Sequence, residues 1–159
     1  MMEKNKKVFM HEADMEARKN LATGDGGPFG SVIVKDGHIV GRGHNEVLKN
    51  NDPTCHGEMQ AIRDACRNLG TYDLSGCDLY TSAQPCPMCL SAIIWANIKN
   101  VYYGNSAHDA EEIGFRDDYI YRFIEGKCQD GDVMTLTQMS RDETIKTFEE
   151  YKAKNLPLY

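Results

Sequence analysis

Two short stretches, well separated along the chain, limit what it can fold into: His56-Gly57-Glu58 and Pro85-Cys86-Pro87-Met88-Cys89. Together they offer one imidazole, two thiols and a carboxylate. A catalytic zinc takes three protein ligands and keeps a fourth, roughly tetrahedral position for water. His56, Cys86 and Cys89 fit that set. Glu58, two residues past the histidine, can move protons without ligating the metal. A Cys-X-X-Cys pair alone also occurs in redox pairs and in structural zinc sites. A structural site would need a fourth protein ligand, and Cys55 adjoins His56 at a helix start, where neighbouring side chains diverge. Any fold that uses this set must bring two distant segments to one point.

The local patterns suit that task. After His56, the apolar residues Met59, Ile62, Cys66 and Leu69 recur at helical spacing, and Gly70 offers a stop. Cys86 and Cys89 head the run Leu90-Ser91-Ala92-Ile93-Ile94-Trp95-Ala96, apolar on most sides and so expected to be a buried helix. Side chains at i and i+3 share a helix face. Amides at a helix N-terminus favour the thiolate, the form that binds metal. Pro85 and Pro87 suit the turn into that helix.

The remaining elements follow in order. Residues 6–21 read as an amphipathic helix with Val8, Phe9, Met15 and Leu21 as core candidates. Residues 24–30 hold too much glycine and proline for a regular element and read as a turn; Phe29, an aromatic on that tight loop, can stack on a base. Strands at residues 31–35 and 38–43 flank Asp36-Gly37, a type I′ hairpin signal. Residues 45–53 read as a polar loop, in which Asn45 is a turn residue or, by its nearness to the metal motif, a ligand for a base edge. Strands at 77–82 and 100–104 bracket the Cys86 helix as a right-handed crossover with parallel strands. The two half-sites then lie on helix N-termini beside one sheet edge. Residues 108–112 suggest a short polar helix, residues 114–121 show no clean period, and Val133-Met134-Thr135-Leu136-Thr137 is strand-like. Residues 141–154 form a charged helix whose Ile145, Phe148 and Tyr151 make a narrow stripe that needs cover, before Pro157-Leu158-Tyr159. The sum is an α/β fold of about five strands with helices on both faces. His11, His38, His44 and His108 lack ligand spacing.

Composition narrows the partners. At 159 residues, one domain spanning 1–159 is expected. Acids outnumber Lys and Arg by 24 to 18, and the net charge is −6 with the basic residues scattered. Nucleic-acid binding usually needs a Lys/Arg patch to neutralise phosphates, so a small uncharged substrate is the simpler expectation. No apolar run is long enough for a membrane helix, and the first residues, Met1 to Lys7, lack a signal core. A cytoplasmic location is expected, and its reducing conditions suit all six cysteines.

With these residues in view the chain resembles the cytidine-deaminase superfamily, and within it the bacterial guanine deaminases. Gly26-Gly27-Pro28-Phe29-Gly30, Asn51-Asp52-Pro53-Thr54, both metal half-sites and Ile94-Trp95-Ala96 match in order. More specific are Gly114-Phe115-Arg116-Asp117, Tyr119-Ile120-Tyr121 and a C-terminal tyrosine. The resemblance implies a three-layer α/β/α sandwich with a mixed sheet, Zn2+ held by His56, Cys86 and Cys89, and Glu58 as proton shuttle. It also implies Phe29 stacking on the base, Asn45 on its edge, and Trp95, Phe115 and Asp117 lining the pocket. The implied assembly is a homodimer in which residues 141–159 cross over and Tyr159 closes the partner's site. The implied reaction is hydrolysis of guanine to xanthine and ammonia. The alternatives are deamination of cytosine or another free base, of adenosine in tRNA, or a non-catalytic zinc-binding nucleobase module. Two departures bear on substrate preference: Gly57 replaces the commoner alanine, and Gln84 replaces a glutamate.

Overall fold

The computed structural model describes residues 2–159, with side chains from Glu3 onward; the N-terminal reading at Met1 lies outside the described residues. The chain divides into two compact units, Met1–Tyr121 and Arg122–Tyr159.

The first unit is built on one mixed sheet. Strands β1 (Gly30–Lys35) and β2 (His38–His44) form the expected hairpin, with Asp36 at φ 49° and Gly37 at φ 77°. Both are left-handed, as a type I′ turn requires. Strand β3 (Asp78–Ala83) pairs antiparallel with β1, and β4 (Asn100–Asn105) pairs parallel with β3. The order is β2-β1-β3-β4: four strands where about five were expected.

Alternation along β1 divides the core in two. Val32 and Val34 face one side with Tyr80 and Ala13, while Ile33 faces the other with Leu79, Ala61, Ala65 and Ile93. Each fully buried aliphatic side chain contributes about 1.5–3 kcal/mol, so both faces need cover. Helix α1 (Met2–Thr23) covers the first face, and α3 (Gly57–Leu69) and α4 (Pro87–Trp95) the second. The short α2 (Val47–Asn50) lies within the polar loop. Helix α3 approaches β2 closely because Gly41 and Gly43 carry no side chain: a Cβ there would stand 2.5 Å from Ala61 O and 2.4 Å from Ala61 N respectively. This contact sets where the head of α3, and with it His56, can lie.

Helix α4 is buried on one face only. Cys89 and Ile93 are enclosed, but Ile94 and Trp95 are each 66 % exposed, because the sheet covers one side of so short a helix. Helix α5 (Ala107–Glu112) begins with a capping box between Ser106 and Asp109, and α6 (Asp117–Glu125) begins on two acids.

In the second unit, residues 133–137 form no strand. Met134 and Leu136 are exposed, and no ladder neighbour exists among the described residues to satisfy an extended backbone. Helix α7 (Arg141–Ala153) matches the expected charged helix, with Phe148 75 % exposed. No described helix is long and apolar enough to cross a membrane.

Candidate metal and substrate site

The candidate metal ligands stand at two helix starts. His56 is the N-cap of α3 (φ −70°, ψ 161°) and Cys86 the N-cap of α4 (φ −66°, ψ 167°). Neither side chain caps its own helix, so both are free to turn toward each other. Cys86 Sγ lies 3.5 Å from His56 Nδ1. Cys89, one turn into α4, completes a group whose ligand atoms all lie within 4.8 Å of one another. Both helix dipoles point their positive ends at this spot and favour thiolate. The Cys86 thiol is drawn down to about 4 by the hydrogen bond from Cys89 and by His56, against the effect of burial. Cys89 is pushed up by that same sulfur and by burial, and His56 is raised by its bond to Cys86. One imidazole and two thiols on rigid, electropositive helix starts fit zinc, a borderline-soft ion bound by nitrogen and sulfur.

Glu58 sits in the first turn of α3, buried, with burial pushing its carboxyl up. Its Oε1 accepts a hydrogen bond from Thr81 Oγ1 at 3.0 Å. His56, Glu58 and Cys86 open on a cavity of about 630 Å³ that Phe29, Asn45, Phe115 and Asp117 also line. Phe29 and Phe115 meet edge to face at 4.8 Å, giving the cavity an aromatic wall. Asn45 Oδ1 accepts from Val47 N at 3.0 Å, and no described group takes its Nδ2, which is left to donate into the cavity. Asp117, half-buried at the start of α6, has its carboxyl raised by burial and by the Cys86 charge.

A family model of the cytidine and deoxycytidylate deaminase zinc-binding region matches residues 3–105. The chain belongs to that deaminase family. Guanine deaminase from Bacillus subtilis is 44 % identical over 148 residues, 93 % of this chain and 94 % of that protein. A crystal structure of guanine deaminase from Bacillus subtilis matches with a TM-score of 0.84 at 42 % identity, covering 96 % of each chain. The tRNA-specific adenosine deaminase of Aquifex aeolicus is 42 % identical over 98 residues, 62 % of this chain and 64 % of that protein.

Within this member of the deaminase family, one of the expected site residues does not line the cavity. Trp95 is exposed on α4 and does not line it. Tyr159, in the second unit, is 83 % exposed.

Three residues that hold the site were given no role from the sequence. Asn20 Nδ2 donates to Gly27 O at 2.6 Å and to Asn45 O at 2.9 Å, stitching the Phe29 loop to the Asn45 loop. Tyr121 Oη donates to Pro85 O at 2.5 Å, fastening α6 to the turn that carries Cys86. Thr81 is the third.

The two departures from the family pattern have local explanations. A Cβ at Gly57 would meet Gly30 Cα and Phe29 O at 3.2 Å, so glycine lets the start of β1, just past Phe29, sit a few tenths of an ångström closer to α3. Gln84 Oε1 accepts from Ala107 N at 3.1 Å, capping α5 with an uncharged group while Gln84 also lines the cavity.

Proposed function

We propose that the chain is a hydrolytic guanine deaminase, converting guanine and water to xanthine and ammonia. One observation carries the reading. A donor, Asn45 Nδ2, and an acceptor, the Asp117 carboxylate, line the same cavity as the metal group and the buried Glu58. Guanine presents acceptors at O6 and N7 and donors at N1 and the 2-amino group, so it can engage both. The Phe29 and Phe115 rings supply apolar faces against which the base would lie. The Bacillus subtilis guanine deaminase supports the same choice, since its likeness extends over 93 % of the chain, while that of the tRNA deaminase covers 62 %.

In this reading His56, Cys86 and Cys89 hold zinc, which when bound lowers the pKa of water toward ~7 and supplies a nucleophile at neutral pH. Glu58 takes one proton from the attacking water. Asp117 and Asn45 hold the base so that C2, the carbon bearing the amino group, faces that water. Glu58 passes that proton to N3 of the base as the oxygen bonds C2, then takes the remaining hydroxyl proton and gives it to the departing amino group, which leaves as ammonia while the oxygen stays on C2 of xanthine. Burial keeps bulk water from competing for the proton.

Residues 1–159 act as one deaminase domain, working as a homodimer in which residues 141–159 are exchanged and Tyr159 closes the partner's cavity. Exposed apolar side chains support this: Phe148 at 75 % and Leu158 at 85 % in the tail, and Ile94 at 66 % on α4. Trp95, beside Ile94, belongs in this reading to the face between copies. The net charge of −6 does not favour a nucleic-acid partner. Six free cysteines suit a reducing compartment such as the cytoplasm. Ammonia release from a panel of free bases and adenosine tests the substrate; ammonia from guanine first among them is the expected result.

A further inference from the structure

Behind the Glu58 carboxylate a short row of hydroxyls crosses the sheet. Ser31 on β1 and Thr81 on β3 are directly paired in the antiparallel ladder. Ser31 Oγ donates to Thr81 Oγ1 at 2.9 Å, and Thr81 Oγ1 donates to Glu58 Oε1 at 3.0 Å. The other acceptor within reach of Thr81, the Gly30 carbonyl, lies at 3.5 Å, so the shorter bond goes to the carboxylate. Ser31 and Thr81 are 0 % and 1 % exposed. Hydroxyls sealed inside a sheet are costly unless each is paired, and valine has the shape of Thr81 without that cost. Here each is paired in one direction, and the row ends on the proton carrier.

We propose that Thr81, backed by Ser31, is a positioning residue for Glu58. Its hydroxyl pins Oε1 and leaves Oε2 as the oxygen that exchanges a proton with water and with the leaving nitrogen. This rests on the reading of Glu58 as the proton carrier. The last torsion of a glutamate is broad and roughly two-fold, whereas proton transfer needs the acceptor within about 2.6–3.2 Å of the proton's source. A fixed donor on one oxygen removes that freedom. Thr81 moves no proton itself, since its hydroxyl stays neutral throughout; Ser31 holds Thr81's rotor by occupying one of its lone pairs.

Four zinc-loaded variants test the role, with kcat, KM, zinc content and thermal midpoint measured for each. Thr81→Val removes the hydroxyl at constant shape; zinc and KM for guanine should match the wild type, while kcat falls by about 10- to 100-fold, as for a lost hydrogen bond to a charged group. Thr81→Ser restores the hydroxyl and should return kcat to within about threefold of wild type. The double variant Ser31→Ala/Thr81→Val leaves no orphaned hydroxyl; it should recover the stability lost in Thr81→Val but not its kcat. Glu58→Gln should be inactive. An inactive Glu58→Gln beside a Thr81→Val of wild-type kcat overturns the positioning role alone. Recovery of kcat in the double variant, or no rescue by Thr81→Ser, overturns it as well. An active Glu58→Gln overturns the reading of Glu58 on which the role depends.

Discussion

His56 and Cys86 each occupy the N-cap of a helix, and Nδ1 of one lies 3.5 Å from Sγ of the other. The metal group is therefore held by backbone geometry at two rigid helix starts, with Cys89 following one turn later. Removing either sulfur should abolish zinc binding without removing a helix. Cys86→Ala and Cys89→Ala are expected to lose zinc by elemental analysis. Cys55→Ala should keep it, because the Cys55 thiol is taken up at 3.6 Å by Asn50 Nδ2 and by Arg63 Nη1. Full zinc in both of the first two variants would remove the metal assignment.

Asn45 has room for its amide because residue 26 is glycine. A Cβ there would stand 2.0 Å from Asn45 Oδ1, with the Asn45 carbonyl at 2.9 Å. Gly26→Ala should displace that amide and cut kcat/KM for guanine by about tenfold or more, the cost of a buried polar contact left unmade. Zinc content should stay at the wild-type level. Kinetics with guanine, run beside metal analysis, separate a lost base contact from a damaged metal site.

The bond from Tyr121 Oη to Pro85 O ties the helix that carries Asp117 to the turn that carries Cys86. Tyr121→Phe removes that single hydrogen bond, worth about 0.5–1.5 kcal/mol. The expected result is a KM for guanine raised by about 2- to 10-fold, with zinc retained. An unchanged KM would mean that packing alone holds α6 in place.

The candidate metal group was legible in the sequence because zinc dictates both residue types and spacing: His56, Cys86 and Cys89, which the fold brings together, could be named before any fold was known. The Asp36-Gly37 turn was legible for a similar reason, since few residues accept two left-handed positions in a row. The roles of Thr81, Asn20 and Tyr121 were not. Each acts on a residue at least seven positions away, through a contact only the tertiary structure creates. Helix α6 was hidden because its acidic start, Asp117 and Asp118, follows Gly114 at φ 104°, which breaks any period read across both. Residues 133–137 misled in the opposite sense: alternation suggested a strand, but a strand also needs a neighbour.

The tail gives a prediction about assembly. Leu158 and Tyr159 are 85 % and 83 % exposed, an apolar end that water does not favour. Deleting both should leave zinc content and the proposed dimer intact while guanine turnover drops sharply, as measured by metal analysis, light scattering and steady-state kinetics. Unchanged turnover in the truncated protein would exclude a part for Tyr159 in closing the site.

The central claim is that this cavity deaminates guanine. Its most direct measurement is ammonia release by the zinc-loaded protein from guanine, cytosine, adenine and adenosine, each at the same concentration, with xanthine identified as the product from guanine. Guanine is expected first, by about tenfold or more, because among these bases it alone presents the O6 and N7 pair to Asn45 while its N1–H and 2-amino group donate to Asp117. Faster release from cytosine than from guanine, or no xanthine formed, would contradict it.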